Sequence, residues 1–295
     1  MLSIGNVEIT RIEEVVLNEP TTLFADWNDS VLEQHRDLMI PHCFDVKAHT
    51  FYASIHSYLI KTPGQTILID TCSGNDKPRP ASPRFHMLNI PWLDRLKAAG
   101  ATPEDIDTVI CTHLHVDHVG WNTRLVDGQW VPTFPKAKYV FPRIEVEWRD
   151  PKHGAADKPP ATHHVFLDSV LPIIEARKAQ LVEGTERWTD EIDFMPTPGH
   201  APGQMAVRLR TGGEEVVFTA DVMHQPVQVF NPTWSSKYCE DPVLATATRK
   251  RMFDYFADNK SLVFPAHFGF PHGGYISRRS GGYDFKPLGR DINPA

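Results

Sequence analysis

The sequence predicts an α/β fold in which strands alternate with helices and polar residues follow the strands. Two short runs, Thr108 to Cys111 (TVIC) and Glu214 to Ala220 (EEVVFTA), have the apolar, β-branched composition of buried strands. Segments of helical pattern separate such runs along the chain. The first run leads into Thr112-His113 and the second into Asp221. Polar residues at strand ends are typical of functional sites in layered α/β folds.

The other elements can be placed in chain order. Residues 55–70 predict a hairpin around the Pro63-Gly64 turn, and residues 91–99 predict a helix that ends at Gly100. Residues 102–105 predict the start of a short second helix, because proline favours the first helical turn. Further along we expect strands over 138–141 and 261–264, and helices over 143–149, 165–179 and 241–258.

We expect a single domain over residues 1–295. The chain is long enough for one large core, and hydrophobic residues make up 41% of it, which is typical of globular proteins. No shift in composition marks a second domain. Residues 18–50 are polar and predict an irregular N-terminal segment, while residues 268–295 are rich in Gly and Pro and predict loops or a wrapping tail.

The charge and the cysteines limit the kinds of partner. Thirty Lys and Arg against 37 Asp and Glu give a net charge of −7, so we expect no nucleic-acid partner. We expect no membrane partner either, because no run reaches the ~18 apolar residues of a membrane helix. Residues 1–8 lack the pattern of a secretory signal, and four cysteines without a C-x-x-C pair favour a reducing compartment. We therefore expect a cytoplasmic protein.

Fifteen histidines are unusual for this length, and their spacing indicates a metal centre. Residues 113–118 (HLHVDH) form an H-x-H-x-D-H motif at the end of the strand over 108–111. Two histidines at i and i+2 on an extended segment point to the same side, so His113 and His115 can bind one metal. After a turn, Asp117 and His118 can face a second metal. Nitrogen and carboxylate ligands without a thiolate suit Zn²⁺ first, and also Mn²⁺, Fe²⁺ or Co²⁺.

With its neighbouring motifs, this pattern resembles the metallo-β-lactamase superfamily along most of the chain. Residues 196–203 (PTPGHAPG) are similar to the T-P-G-H-T-x-G element of that family. Residues 219–221 (TAD) resemble the segment of its bridging aspartate, and residues 265–267 (PAH) that of its final histidine. Residues 68–71 (LIDT) are similar to its L-I-D-T-G element, with Cys72 where glycine usually stands.

The resemblance implies an αββα sandwich with two divalent metal ions between the sheet edges. It assigns His113, His115 and His200 to the first metal, Asp117, His118 and His267 to the second, and Asp221 to a bridge between them. It also implies that Asp70 orients a ligand imidazole from behind the ligands.

Such a centre favours a hydrolase of small molecules. Two metals ~3.5–4 Å apart lower the pKa of a bridging water, and the resulting hydroxide can attack a carbonyl or phosphoryl centre. Asp117 is then the group that orients the nucleophile and passes its proton to the leaving group. We expect a small, fairly apolar ester or lactone as the substrate, and aryl phosphotriesters as well.

Several branches of the superfamily share the full ligand set. Class B β-lactamases are disfavoured because their second site usually departs from H-x-H-x-D-H. The negative charge disfavours the nucleases, and basic features for glutathione, expected of glyoxalase II, are absent from the sequence. Three alternatives stay open: a lactonase of acyl-homoserine lactones, an iron-dependent member that reacts with oxygen or sulfur, and a non-catalytic effector-binding protein.

His224 separates two of these branches. It stands three residues after Asp221, where acyl-homoserine lactonases usually have a tyrosine that contacts the substrate carbonyl. The pattern from His224 to Gln228 looks more like the methyl parathion hydrolase branch, whose members hydrolyse lactones, aryl esters and phosphotriesters side by side and are often dimers. We therefore expect a homodimer. We also expect His224 to donate a hydrogen bond to the polarised substrate oxygen. The alternative is a buried histidine bonded to the backbone.

Aromatic residues near the motifs predict an apolar substrate pocket. If the loops converge, one cavity would be lined by Trp121, Phe230, Trp234, Phe268 and Phe270. The alternative is that these side chains belong to the core, where aromatic residues beside strand ends are often found.

Overall fold

A computed structural model describes residues 1–156 and 163–289 of the chain. The chain divides into two compact units, a first of residues 1–14 and 55–184 and a second of residues 15–54 and 185–289. Each unit contains strands and helices, so the predicted α/β class is confirmed. Among the described residues no helix is both long and apolar enough to span a membrane.

The described part of the chain forms sixteen strands. They are β1 (Leu2–Ile4), β2 (Val7–Pro20), β3 (Phe44–Asp45), β4 (Thr50–Lys61), β5 (Thr66–Ile69), β6 (Thr108–Ile110), β7 (Thr123–Val126), β8 (Gln129–Pro132), β9 (Lys138–Pro142), β10 (Ala179–Val182), β11 (Ile192–Pro196), β12 (Met205–Thr211), β13 (Glu214–Ala220), β14 (Leu262–Pro265), β15 (Gly274–Arg279) and β16 (Gly282–Pro287).

Eight α-helices lie within the same described ranges. They are α1 (Asp29–Gln34), α2 (Arg36–Met39), α3 (Trp92–Ala98), α4 (Arg143–Arg149), α5 (His164–Ser169), α6 (Leu171–Glu175), α7 (Val227–Phe230) and α8 (Pro242–Asn259). Single turns of 3₁₀ helix occur at Thr21–Leu23, Pro83–Phe85, Pro103–Asp105 and Gly120–Asn122.

The eight-stranded sheet places the ends of its parallel strands at one edge. The strand order is β1-β2-β4-β5-β6-β9-β10, and β3 pairs with β4. Strands β5, β6, β9 and β10 are parallel, with Ile69 opposite Ile110 and Ile110 opposite Val140. All three residues of β6 are buried. Parallel strands deliver the residues that follow them to the same edge, so the segments after β5, β6 and β9 can meet there.

The second unit contains a six-stranded sheet in sequence order, from β11 to β16. Strands β13 and β14 are its one parallel pair among the described strands. Helix α8 is capped by Asp241, whose side chain accepts from Leu244 N at 2.8 Å, and has proline in its first turn. Met252 and Phe256 of α8 pack in one hydrophobic cluster with Val217 of β13.

Most predicted elements are confirmed. The hairpin over 55–70 is β4 with β5, and the helices over 91–99, 143–149 and 241–258 are α3, α4 and α8. The strands over 108–111, 138–141, 214–220 and 261–264 are β6, β9, β13 and β14.

Two helix predictions are wrong in detail. Residues 102–105 form a single 3₁₀ turn, in which Thr102 and Asp105 satisfy each other's backbone in a capping box. The segment over 165–179 is divided into α5 and α6, and residue 179 begins β10. Pro172 has no N–H to donate to the fourth residue before it, which favours a break in the helix just before this position.

The two segments predicted as irregular contain regular structure. The N-terminal segment 18–50 includes α1, α2 and β3, and Phe24 and Phe44 pack in a cluster with Phe51 and Trp234. The segment is polar on average, but it contains a few widely spaced aromatic residues that are buried in this cluster. The average composition therefore gives no sign of its regular structure. The tail over 268–295 forms the β15–β16 hairpin, whose turn contains Gly281 at φ +79°, and its last six residues lie outside the described range.

A buried lysine fixes the loop that follows β5. Lys77 is fully buried; its Nζ donates to Thr123 Oγ1 at 2.7 Å and lies 3.6 Å from the centre of the Trp130 ring. The Asp168 carboxylate lies 3.7 Å from Lys77 Nζ and accepts two bonds from Arg79, at 2.6 and 2.7 Å. Burial lowers the pKa of Lys77 to about 7, although Asp168 acts in the opposite direction.

We predict that the stability of the wild type relative to Lys77→Met increases as the pH rises from about 7 to about 10. In this range the unfolded chain keeps the lysine protonated while the folded chain releases the proton. Unfolding therefore takes up a proton, and the wild type gains at most about 1.4 kcal/mol per pH unit. The charged groups around Lys77 are common to both proteins, so their own titration cancels in the comparison to first order. They are Asp168, Arg79 and Asp76.

Urea unfolding at pH 7 and pH 9.5 measures this difference. Lys97→Met is the control, because Lys97 is exposed. It should follow the wild type at both pH values. Parallel pH dependences for the wild type and Lys77→Met would contradict the prediction.

Candidate metal centre

The H-x-H-x-D-H motif lies in the loop that follows β6, in the first unit. His113 and His118 are buried, whereas His115 and Asp117 are partly exposed. The His113 ring centre lies 4.6 Å from that of His115 and 4.0 Å from that of His118. His118 Nε2 lies 3.7 Å from Asp117 Oδ1. The loop therefore brings all four predicted ligands of this unit together.

Asp70 fixes this loop from behind. It follows β5 with a left-handed backbone, φ +56°, and its side chain is buried. Its Oδ1 accepts from Thr112 N at 2.8 Å, and its Oδ2 accepts from His118 Nδ1 at 2.8 Å. A carboxylate can only accept here, so His118 carries its proton on Nδ1. In the neutral ring this leaves the Nε2 lone pair for a metal.

Trp121 and Glu14 brace the end of the same loop. Trp121 is buried and stacks on Trp92, with ring centres 5.4 Å apart. Its Nε1 donates to Glu14 Oε1 at 2.7 Å. Glu14 also accepts from Ser73 N at 2.9 Å and from Gly74 N at 3.0 Å. Burial raises the pKa of Glu14, and these hydrogen bonds act in the opposite direction. Sequence reasoning missed Glu14, which looks like an ordinary polar residue of an alternating strand.

In the second unit three imidazoles converge on one carboxylate oxygen. Asp221 follows β13 directly, and its Oδ2 lies 3.1 Å from His200 Nε2, 3.3 Å from His224 Nε2 and 3.2 Å from His267 Nε2. All four side chains are buried. Single donor atoms of His200, Asp221 and His224 lie within 4.8 Å of one another. The predicted ligands of this unit are therefore also together, and His224 lies beside them.

Two of these rings, His267 and His200, also make contacts through Nδ1. His267 Nδ1 donates to the Ser54 carbonyl at 3.1 Å, and His200 Nδ1 lies 3.9 Å from Cys239 Sγ. Gly199, beside His200, has φ +128°, and a Cβ there would lie 2.2 Å from Ala245 N of α8. Only glycine allows the loop to approach the helix this closely.

His224 lies in a loop that several polar contacts hold. Its Nε2 lies 3.3 Å from Ser236 Oγ, and its backbone N donates to Gln228 Oε1 at 2.5 Å. Gln228 Nε2 in turn donates to the Trp234 carbonyl at 2.9 Å. Burial is the main cause that lowers the pKa of His224, which favours the neutral ring.

A buried arginine holds the same loop from α8. Arg249 donates from Nε to the Val222 carbonyl at 2.7 Å and from Nη1 to the carbonyls of Pro232 and Trp234 at 2.9 and 2.8 Å. Burial lowers its pKa to about 10. Nothing in the sequence singles out Arg249, because an arginine in a helical pattern normally faces solvent.

Of the aromatic residues predicted for the pocket, two belong to the hydrophobic core and two pack against histidine rings. Trp234 and Phe268 belong to two different hydrophobic clusters and are core residues. Phe230 is partly buried and stacks on His35, with ring centres 3.6 Å apart. Phe270 packs edge-on against His42 at 5.0 Å. The expectation that the aromatic residues near the motifs share one cavity therefore does not hold for Trp234 and Phe268.

The donor set fits a divalent transition metal. Because His267 donates through Nδ1 to a carbonyl, the neutral ring presents a lone pair at Nε2, which faces the Asp221 oxygen 3.2 Å away. Two facing lone pairs repel unless a cation lies between them. Imidazole nitrogens with carboxylate oxygens are the ligands of zinc and related metals.

Known proteins share this pattern. A model of the metallo-beta-lactamase superfamily matches residues 53–267. An N-acyl homoserine lactonase from a Bacillus species is 26% identical over 173 residues, which cover 58% of this chain and 60% of that protein. The N-acyl homoserine lactonase AttM of Rhizobium radiobacter is 28% identical over 173 residues, covering 52% and 58%. The chain thus spans less than two thirds of the length of these relatives.

Solved structures resemble the chain over nearly its whole length. The crystal structure of the hydrolase AbOPH, of the beta lactamase superfamily, is 26% identical and covers 98% of this chain and 96% of its own, with a TM-score of 0.81. AidC, a dizinc quorum-quenching lactonase, is 21% identical with the same coverage and a TM-score of 0.77. These structures confirm the predicted fold, and the family model covers most of the chain. The chain therefore belongs to the metallo-β-lactamase superfamily.

Proposed function

We propose that the chain is a metal-dependent hydrolase with a dinuclear metal centre. The observation that carries this proposal is the approach of two proposed ligands, His200 Nε2 and His267 Nε2, to Asp221 Oδ2 at 3.1 and 3.2 Å. The family match supports it, because residues 53–267 include every predicted ligand. AidC, which contains two zinc ions, offers a precedent for the number and kind of metal.

The proposed ligands divide into two sets that share Asp221. The first metal would be held by His113, His115, His200 and Asp221, and the second by Asp117, His118, His267 and Asp221. Zinc is the first choice for these nitrogen and oxygen donors, before manganese, iron or cobalt. Asp70 supports the second set, because its bond to His118 Nδ1 keeps Nε2 available.

Bound metals of this kind supply a water nucleophile at neutral pH and polarise the substrate oxygen. The protein then has to orient the nucleophile and move its proton. Asp117 is suited to both tasks, because its carboxylate is partly exposed and lies beside His118. We assign it as the group that accepts the proton and delivers it to the leaving oxygen.

His224 is the proposed donor to the substrate oxygen. Its Nε2 lies 3.3 Å from Asp221 Oδ2 and 3.3 Å from Ser236 Oγ, so the ring edge faces the metal ligands. The bond between its backbone N and Gln228 holds the backbone that carries the ring. A buried donor that is already in place stabilises the negative charge of a transition state at little cost in reorganisation.

The substrate that we propose is a small, fairly apolar ester or lactone, with aryl phosphotriesters as further substrates. The net charge of −7 disfavours strongly anionic substrates. A specific observation favours a narrower candidate, the hydrolysis of acyl-homoserine lactones: several relatives are named as lactonases of this class. His224 at the position of their usual tyrosine favours the broader activity.

We predict two equivalents of zinc per chain and hydrolysis of at least one class in a panel of aryl esters, lactones of graded chain length and aryl phosphotriesters. Metal content and activity are measured on one sample. His115→Ala should lose metal and activity together, because it removes a ligand of the first metal, while the exposed His153→Ala should keep both. One equivalent or none in the wild type, or no hydrolysis with two equivalents bound, would contradict the proposal.

For His224→Ala we predict a fall in kcat of about 10²-fold, with the metal content unchanged, because the variant loses a transition-state donor but no ligand. The control is His49→Ala, whose side chain is 52% exposed and belongs to the same unit. Steady-state kinetics and metal analysis of both variants provide the test. A loss of metal in His224→Ala would show that His224 is a ligand, and an unchanged kcat together with an unchanged KM would exclude its contact with substrate.

A further inference from the structure

A buried carboxylate on α4 contacts the metal-binding loop of the first unit. Helix α4 begins directly after β9, and β9 lies beside β6, where Cys111 N donates to the Val140 carbonyl at 3.0 Å. The start of the helix is therefore next to the loop that follows β6. Glu145, the third residue of α4, is fully buried.

The carboxylate of Glu145 binds the backbone between two proposed ligands. Its Oε2 accepts from Leu114 N at 3.1 Å. This N–H belongs to the peptide that joins His113 to Leu114, so its orientation sets the direction of the His113 and His115 side chains relative to each other. A hydrogen bond to a charged carboxylate is roughly twice as strong as a neutral one, and it opposes rotation of this peptide.

Arg149 makes the buried charge of Glu145 tolerable. Its Nε donates to the same Oε2 at 3.2 Å, from one turn further along α4. A buried carboxylate is costly unless it is paired and hydrogen-bonded, and Glu145 has both kinds of partner. An apolar residue would fill this space at a lower desolvation cost. Packing alone therefore does not explain a carboxylate at this position, whereas the hydrogen bond to the loop does.

We propose that Glu145 is a positioning residue that holds His113 and His115 in the geometry required to bind one metal. The inference rests on the proposed function, because it requires these two histidines to be ligands. In this role Glu145 acts on the two histidines through the Leu114 backbone. Its removal is therefore expected to change the affinity for metal directly, and any catalytic step only as a consequence.

The test measures the Kd for Co(II) against a chelating competitor, together with the visible absorption of the bound ion and the Tm of the metal-free protein. Glu145→Ala should raise the Kd about 10- to 100-fold, the usual effect of removing a partner behind the ligands. Glu145→Gln keeps an oxygen that can accept from Leu114 N, so the increase should be about 3- to 10-fold. The control is Glu147→Ala, an exposed residue of the same helix, which should match the wild type.

The outcomes separate this inference from the proposed function. If the wild type binds no Co(II), both are overturned. If the wild type binds Co(II) and the Glu145 variants show a lower Tm but the same Kd and spectrum, Glu145 is only a structural residue and this inference alone is overturned. Should Glu145→Ala fail to fold, the result for Glu145→Gln decides the question. A higher Kd for Co(II) supports the inference, and an unchanged Kd overturns it.

Discussion

The convergence of three buried imidazoles on the Asp221 carboxylate is the constraint on which the rest of the site depends. Three buried imidazole Nε2 atoms lie 3.1 to 3.3 Å from one oxygen of this carboxylate. His267 cannot donate to it in the neutral state, because its proton is used at Ser54. Such an arrangement is stable only with positive charge among the donors, and a divalent metal would supply it. The surrounding scaffold has to keep these donors from rearranging.

The scaffold meets this requirement with hydrogen bonds to loop backbone. Asp70 and Glu145 each accept from an amide of the loop after β6, and Arg249 donates to carbonyls of the loop that carries His224. All three are charged side chains buried in the protein. Loops at strand ends have no ladder partners for their backbone groups, so buried side chains satisfy them and fix the loop at the same time.

The first part of the ligand pattern, the H-x-H-x-D-H motif, could be recognised in the sequence because it is local. The H-x-H-x-D-H motif and the strands over 108–111 and 214–220 each depend on a few neighbouring residues, and the structure has them where the pattern indicates. The N-terminal segment 18–50 could not be predicted, because its aromatic residues gain their burial from partners such as Trp234, far away in sequence. Glu145 and Arg249 were missed for a related reason: a charged residue in a helical pattern normally faces solvent, and only the tertiary structure reveals that these two do not.

The most direct test of the central claim is anomalous X-ray diffraction at the zinc edge from crystals grown with Zn(II). The proposal predicts two peaks about 3.5–4 Å apart, with the Asp221 carboxylate bound to both. His113, His115 and His200 should surround one peak, and Asp117, His118 and His267 the other. A single peak, or two peaks of which either lies beyond the reach of Asp221, would contradict the claim that this carboxylate organises a dinuclear centre.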